Sequence, residues 1–287
     1  MSTIAVTPAR HSSRRTRVMV TTAVRALAAL IVSLIFFAPI YWMIMTAFKT
    51  GNEAFTAAPS LFVWPSLENF RLVFTQSNFG LALSTSLFVA TTSTILCLML
   101  GASIAYPLAR VKMRGQKHVA FWILSLRIIP PIATIIPLFL LLRTLGLTGS
   151  IWSLVVVYTY MNLPLTVWLL RGFFADMPKE IEEASLVDGA SRFRTFIGIT
   201  LPLTAPGFIA TGLLCFIFAW NEFLFANILT GAATHTAPVG LTEYVTPVSV
   251  EWNKIMAAGT LVVLPVWIGA LAVQRYLVRG LTMGAVK

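Results

Sequence analysis

Polar and apolar residues come in blocks along this chain. They do not alternate with the short periods of a half-buried helix or strand. Six apolar runs are separated by polar segments: about 26–47, 81–108, 119–142, 151–170, 207–229 and 255–273. Each is near the ~20 residues that cross a hydrocarbon core of ~30 Å as a helix. In that medium the backbone must satisfy its own hydrogen bonds, which an α-helix does. The pattern predicts an all-α polytopic membrane protein with six transmembrane helices. Prolines interrupt most of the runs: Pro39 in the first, Pro130, Pro131 and Pro137 in the third, Pro164 in the fourth and Pro265 in the sixth. Each removes a backbone hydrogen bond and kinks a helix. Residues 1–25 form a basic tail, disordered or lying on the surface, 26–279 the membrane domain and 280–287 a second tail. No internal repeat is visible.

Composition agrees with the pattern. Of 287 residues, 57% are hydrophobic and 11% charged, and the mean hydropathy is +0.84. So apolar a chain has too little polar surface to cover itself in water. The net charge of +11 is a property of the loops and not a nucleic-acid footprint. Sixteen of the 21 Lys and Arg residues fall in the two tails and the segments after the second and fourth runs. Four, Lys49, Arg71, Arg143 and Lys254, fall in the alternate segments, and Arg127 lies inside a run. The positive-inside rule puts both termini and the segment after the fourth run in the cytoplasm. Arg14-Arg15 invites a twin-arginine export reading, but no small-residue cleavage site follows. Cys97 and Cys215 sit in apolar runs as packing residues, and the three histidines have no metal-ligand spacing.

The segment from Asp176 to Pro206 is the one long interruption rich in both charge signs. It holds five of the ten acids: Asp176, Glu180, Glu182, Glu183 and Asp188. Pro178 suits a first helical turn, with acids near the positive end of the helix dipole. Asp188-Gly189 marks a turn in which glycine takes the left-handed conformation. Ser191 caps a following helix, which is expected to stop near Pro202. The segment reads as two short helices joined at a glycine, a docking surface between two spans.

Its residues also carry a resemblance. Glu183-Ala184-Ser185, then Gly189 after three residues, then Ile199, Leu201 and Pro202 resemble the "EAA loop" of ATP-binding-cassette importer permeases. That pattern is Glu-Ala-Ala, Gly and Ile-x-Leu-Pro at these spacings, with Ser185 here in place of the second alanine. Arg127-Ile-Ile-Pro-Pro, Ile136-Pro-Leu, Leu145-Gly-Leu, Trp220-Asn-Glu-Phe and the end Gly280–Lys287 are similar to the carbohydrate branch, the maltose/trehalose permeases. The resemblance implies a type I importer fold. It makes the loop a coupling helix seated in a separate ATPase, with Glu183, Ala184, Ser185, Asp188, Gly189, Ile199, Leu201 and Pro202 as its coupling residues. The small residues Ala184, Ser185 and Gly189 would let the partner approach closely. The implied partners are a second permease subunit, two ATPase subunits, an extracytoplasmic solute-binding protein, a carbohydrate substrate and the lipid of a bacterial inner membrane. The loop between the last two spans would meet the binding protein, and the tail ending at Lys287 would reach the ATPases. The chain has no phosphate-binding Gly-x-x-x-x-Gly-Lys-Ser/Thr loop, so ATP and Mg belong to the partners and this chain needs no cofactor of its own. It is expected not to be an enzyme.

Within the membrane, four polar residues stand out as lining a translocation path: Arg127, Asn162, Asn221 and Glu222. A charge at mid-bilayer costs ~2.5–3.5 kcal/mol on insertion scales and must face protein or water. Arg127 and Asn162 fall at similar depth, about 13 Å and about 16 Å from opposite ends of their runs at 1.5 Å per residue. By the same rise Glu222 stands about 12 Å above Arg127. Glu222, with Trp220 and Asn221, has the chemistry to bind sugar hydroxyls. The aromatics Tyr41, Trp42, Tyr158, Tyr160 and Trp168 have faces that stack on sugar rings, though aromatics in membrane helices also serve packing and anchoring. Two other functions compete with an importer subunit. An ion-coupled secondary carrier would favour repeated halves and intramembrane acids. An intramembrane enzyme acting on lipid-linked sugars would need paired acids, His or Cys at one depth.

Overall fold

The computed structural model describes residues 11–50, 64–111, 113–247 and 249–283, with the backbone alone for 11–18 and 275–283. Lys287 and the segment 51–63 lie outside the described residues. Among these residues the regular elements are helical, apart from a single antiparallel bridge between Val245 and Val250. Helix α1 spans His11–Ala47, α2 Glu68–Thr75, α3 Phe79–Arg110 and α4 Gln116–Ser125. α5 follows at Pro131–Thr144, α6 at Ile151–Asp176, α7 at Lys179–Val187 and α8 at Arg192–Thr195. The chain ends with α9 (Leu201–Trp220), α10 (Leu224–Leu229), α11 (Ala237–Gly240) and α12 (Trp252–Met283). Helix α1 begins well ahead of the apolar run at Ala26, so residues 11–25 are helical.

Among the described residues five helical stretches are long and apolar enough to cross a membrane, and the pair α4–α5 makes a sixth if its two halves form one broken span. That third run is not one rod. Its two halves meet at 89°. The cause is Pro130-Pro131: a residue before proline is driven out of the α region. Ile129 and Pro130 accordingly sit at ψ of 123° and 130°. Pro137 is accommodated inside α5.

The core is α3 against α6, with α9 packed on both. Small residues permit the approach, as expected where lipid offers no hydrophobic drive between helices. A Cβ on Gly101 of α3 would lie 2.5 Å from Thr166 of α6. One on Gly207 of α9 would lie 2.3 Å from the Phe173 ring. α1 packs along α12, and its apolar face from Met19 to Phe37 is otherwise uncovered. At one end Asn69 of α2 donates to the carbonyls of Ala47 and Lys49 at 2.8 and 2.7 Å, which closes the end of α1. At the opposite end Tyr106, Phe174, Phe196 and Phe208 form an aromatic cluster under the Asp176–Pro206 block.

Candidate functional site

The bend between α4 and α5 opens a cavity of about 210 Å³ toward α6 and α9. Arg127, in the turn after α4, lies on its wall with Asn162 of α6 and Glu222 beyond α9. Three of the four polar residues expected on the path therefore share one cavity. Asn221 is not among its lining; it is exposed and folds back to the Ile217 carbonyl at 2.8 Å.

The height difference expected between Arg127 and Glu222 is smaller in the structure. The fifth run is not one helix. α9 stops at Trp220, and α10 begins at Leu224 after a break. Glu222 caps α10: its Oε1 accepts from the Phe225 amide at 3.0 Å and its Oε2 from the Ala226 amide at 3.2 Å. Orphan amides at a helix start and the positive end of the dipole favour a carboxylate there. The Arg127 guanidinium lies over the Phe218 ring, 4.5 Å from its centre. Phe218 is two residues before the end of α9 at Trp220, so the guanidinium sits near the level at which the chain breaks and places Glu222. Tyr158, Tyr160, Thr134 and Phe218 complete the polar and aromatic wall. Pro164 has no N–H for the Tyr160 carbonyl. The cavity thus combines a cation, an anion, an amide and phenols with aromatic faces, a set that suits a neutral polyhydroxylated solute. The sequence singled out the charges; Phe218 carried no signal beyond its spacing from Glu222. Among the described residues no group of three or more His, Cys, Asp or Glu gathers at metal-binding distance.

The second part of the site is the Asp176–Pro206 block. α7 and α8 are joined at Gly189, whose φ of +87° explains the glycine; no atom stands within 4 Å of where a Cβ would be. Ser191 caps α8, its Oγ accepting from the Arg194 amide at 3.3 Å. The second helix does not stop at Pro202. The chain passes through a π-helical turn, Phe196–Thr200, and continues as α9. The wider turn, with the Leu201 amide bonded to the Phe196 carbonyl, accommodates the proline's missing donor. Such single turns recur at functional sites.

α7 has two faces. Its inner face is polar and buried: Glu182 and Ser185 are 8% and 7% exposed. Glu182 Oε2 pairs with Arg110 Nε of α3 at 3.0 Å, and its Oε1 accepts from the Thr200 hydroxyl at 2.9 Å. Ser185 and Thr195 hydroxyls meet at 3.0 Å. Within this chain Ser185 therefore faces inward, onto Thr195. The outer face shows Glu183, Ala184, Asp188 and Gly189. Beside them Val187 is 87% and Phe193 75% exposed. Ile199 and Leu201 are half-buried and Pro202 is exposed, at the root of α9. The expectation named neither Arg110, Thr195 and Thr200 nor the apolar pair Val187 and Phe193. The i, i+3 spacing of Glu182 and Ser185 was the one signal for the inner face.

Residues 97–283 match the model of the binding-protein-dependent transport system inner membrane component family. The chain is 33% identical to the trehalose/maltose transport system permease protein MalG of Thermococcus litoralis, over 91% of this chain and 95% of that one. It is also 33% identical to the diacetylchitobiose uptake system permease protein DasC of Streptomyces coelicolor, over 90% and 94%. The sulfoquinovosyl glycerol transport system permease protein SmoH of Agrobacterium fabrum is 32% identical over the full length of both. Among solved structures, a chain of a bacterial ABC transporter that imports the acidic polysaccharide alginate has the same fold, with a TM-score of 0.75 at 22% identity, over 94% of this chain and 99% of that one. A chain of a bacterial alginate ABC transporter in complex with alginate pentasaccharide-bound periplasmic protein matches with a TM-score of 0.66 at 14% identity, over 92% of this chain and 96% of that one.

Proposed function

The chain belongs to the family of binding-protein-dependent transport system inner membrane components, and from that premise we propose how it works. It is a multi-pass permease subunit of an ATP-driven importer, and its cargo is a sugar or related carbohydrate. The named substrates of its relatives, a disaccharide, a chitobiose derivative and a glycosyl glycerol, support that class. They do not support the ion-coupled carrier or the intramembrane enzyme. The chain acts with a second permease subunit, two ATPases that hydrolyse ATP with Mg, and an extracytoplasmic binding protein. Both termini and the Asp176–Pro206 block face the cytoplasm, where the ATPases are.

The observation that carries this reading is α7. It stands outside the spans, pinned on its inner face and bare on its outer one. Val187 and Phe193 present apolar side chains to a solvent that penalises them. An ATPase cleft that covers them, with Glu183 pairing with a basic residue at the rim, turns that penalty into docking energy. Closure of the ATPase pair then moves the block, and the spans switch the cavity between the two sides. Arg127, Asn162 and Glu222 are the polar wall along which the sugar passes, exchanging its hydration for their hydrogen bonds.

The test is reconstitution. The chain co-expressed with its partners in proteoliposomes is expected to take up sugar only with ATP inside and loaded binding protein outside. Uptake by the chain alone, driven by a proton or sodium gradient, would overturn the assignment.

A further inference from the structure

Glu182 is an acid of α7 withdrawn from water between the end of α3 and the turn that opens α9. Its two oxygens are committed to two different spans: Oε2 to Arg110 at the end of α3, and Oε1 to Thr200 in the turn that opens α9. Arg110 in turn donates from Nη2 to the Met177 carbonyl at 3.0 Å, at the entry to α7. Three residues along the same face of α7, Ser185 meets Thr195. The other acids of the block, Asp176, Glu180, Glu183 and Asp188, are exposed.

We propose that Glu182 is a positioning residue of the transport cycle: its carboxylate joins α7, the end of α3 and the start of α9 into one rigid unit, so that a displacement of α7 moves both spans together. This rests on the reading of the block as the lever of the ATPases. An apolar contact of the same area would resist separation but permit sliding. The Thr200 hydroxyl bond gives the joint its direction. The Arg110 Nε contact adds charge attraction without hydrogen-bond alignment, since neither Nε nor Nη1 has a hydrogen-bond partner among the described residues. Burial keeps water from replacing either partner. Removing one partner of a buried ion pair leaves the other charge uncompensated, so the pair resists separation of α7 from α3. The π-helical turn sets the Thr200 hydroxyl on the carboxylate, so the irregular backbone at that point belongs to the same device. Coupling that passes through such a joint is carried by discrete contacts and is lost when one is removed.

The experiment uses the full complex in proteoliposomes with its binding protein, and four variants. Glu182→Gln keeps the side-chain size and removes the charge; Thr200→Val removes the hydroxyl; Thr200→Ser restores it. Val187→Asp, on the outer face, tests the lever itself. Complex yield, basal ATPase activity, its stimulation by loaded binding protein, and sugar imported per ATP are measured. Glu182→Gln is expected to assemble and hydrolyse ATP near wild-type levels while sugar imported per ATP falls about tenfold or more, a typical coupling free energy expressed as a ratio. Thr200→Val is expected to fall less, and Thr200→Ser to match wild type. Wild-type stoichiometry in Glu182→Gln overturns the proposal. So does a loss in which yield, basal ATPase and transport fall in parallel in both Glu182→Gln and Thr200→Val, since that is packing alone. If Val187→Asp still binds the ATPases normally, the lever reading itself fails and the joint falls with it. If Val187→Asp blocks binding and Glu182→Gln couples normally, the joint fails alone.

Discussion

Arg127 keeps a full charge in the third apolar run, where no ion pair holds it among the described residues. Its contact is the Phe218 face, a cation–π interaction worth roughly 0.5–2 kcal/mol depending on desolvation. That is less than the ~2.5–3.5 kcal/mol of placing an arginine at mid-bilayer, so the guanidinium needs more than the ring; it is exposed on the cavity wall and not packed inside the protein. Arg127→Met keeps the apolar stem and removes the charge. Its expected result is correct insertion and complex formation with uptake reduced about tenfold or more, a loss of order 1.4 kcal/mol in the transport barrier. Uptake assays beside complex yield would check it, and unchanged uptake would remove Arg127 from the path. Glu222 shows a different economy: the same carboxylate that lines the cavity also caps α10. Both its oxygens are taken by amides at the start of α10, and no salt bridge reaches it among the described residues.

At the scale of elements, two irregularities shape the site. The first is the 89° bend at Pro130-Pro131, which creates the cavity wall. Replacing both prolines by alanine restores two backbone donors and the α region to Ile129. The expected outcome is a straighter α4–α5, a protein that still inserts, and lost uptake. Cross-linking between engineered cysteines on α4 and α6 would report the geometry, and normal uptake would show that the bend is incidental. The second is the turn at Gly189. A valine there is forced toward φ of +87°, which costs a β-branched residue of order 1–3 kcal/mol. Because a Cβ meets no atom within 4 Å, the cost is conformational, not steric. Gly189→Val is expected to misalign α7 with α8 and lower ATP-driven uptake while membrane insertion is retained. Wild-type coupling in that variant would count against the role given to the turn.

For the whole molecule the decisive property is orientation. Cysteines introduced at 187 and at 234 stand at opposite ends of the bundle. Cys97 and Cys215 are buried and leave little background labelling. A membrane-impermeant maleimide is expected to reach position 234 in intact cells and position 187 only in inverted vesicles. The reverse pattern would place the α7 block away from ATP and end the importer reading. The exposed apolar face of α1 needs no soluble partner to explain it, since lipid or a neighbouring span covers it equally well.

Long apolar runs, the uneven Lys and Arg distribution and the acid-rich segment with its glycine are local properties. The chain states them without folding, because bilayer thickness, the positive-inside bias and turn chemistry act on short stretches. They sufficed for the helical class, for five or six candidate crossings and for a short helix–glycine–helix segment between two of them. Gly189 and the Ser191 cap were legible for the same reason. The tertiary structure alone decided what depends on how the helices meet. Helical rise along separate runs set Glu222 well above Arg127, whereas a bend in one span and a break in another bring both to one cavity. Glu182 and Glu183 are neighbours in sequence and chemically alike, yet a 100° step around α7 buries the first on Arg110 and leaves the second free. Side-chain direction sorts such neighbours, and it becomes meaningful only when another helix is there to be faced.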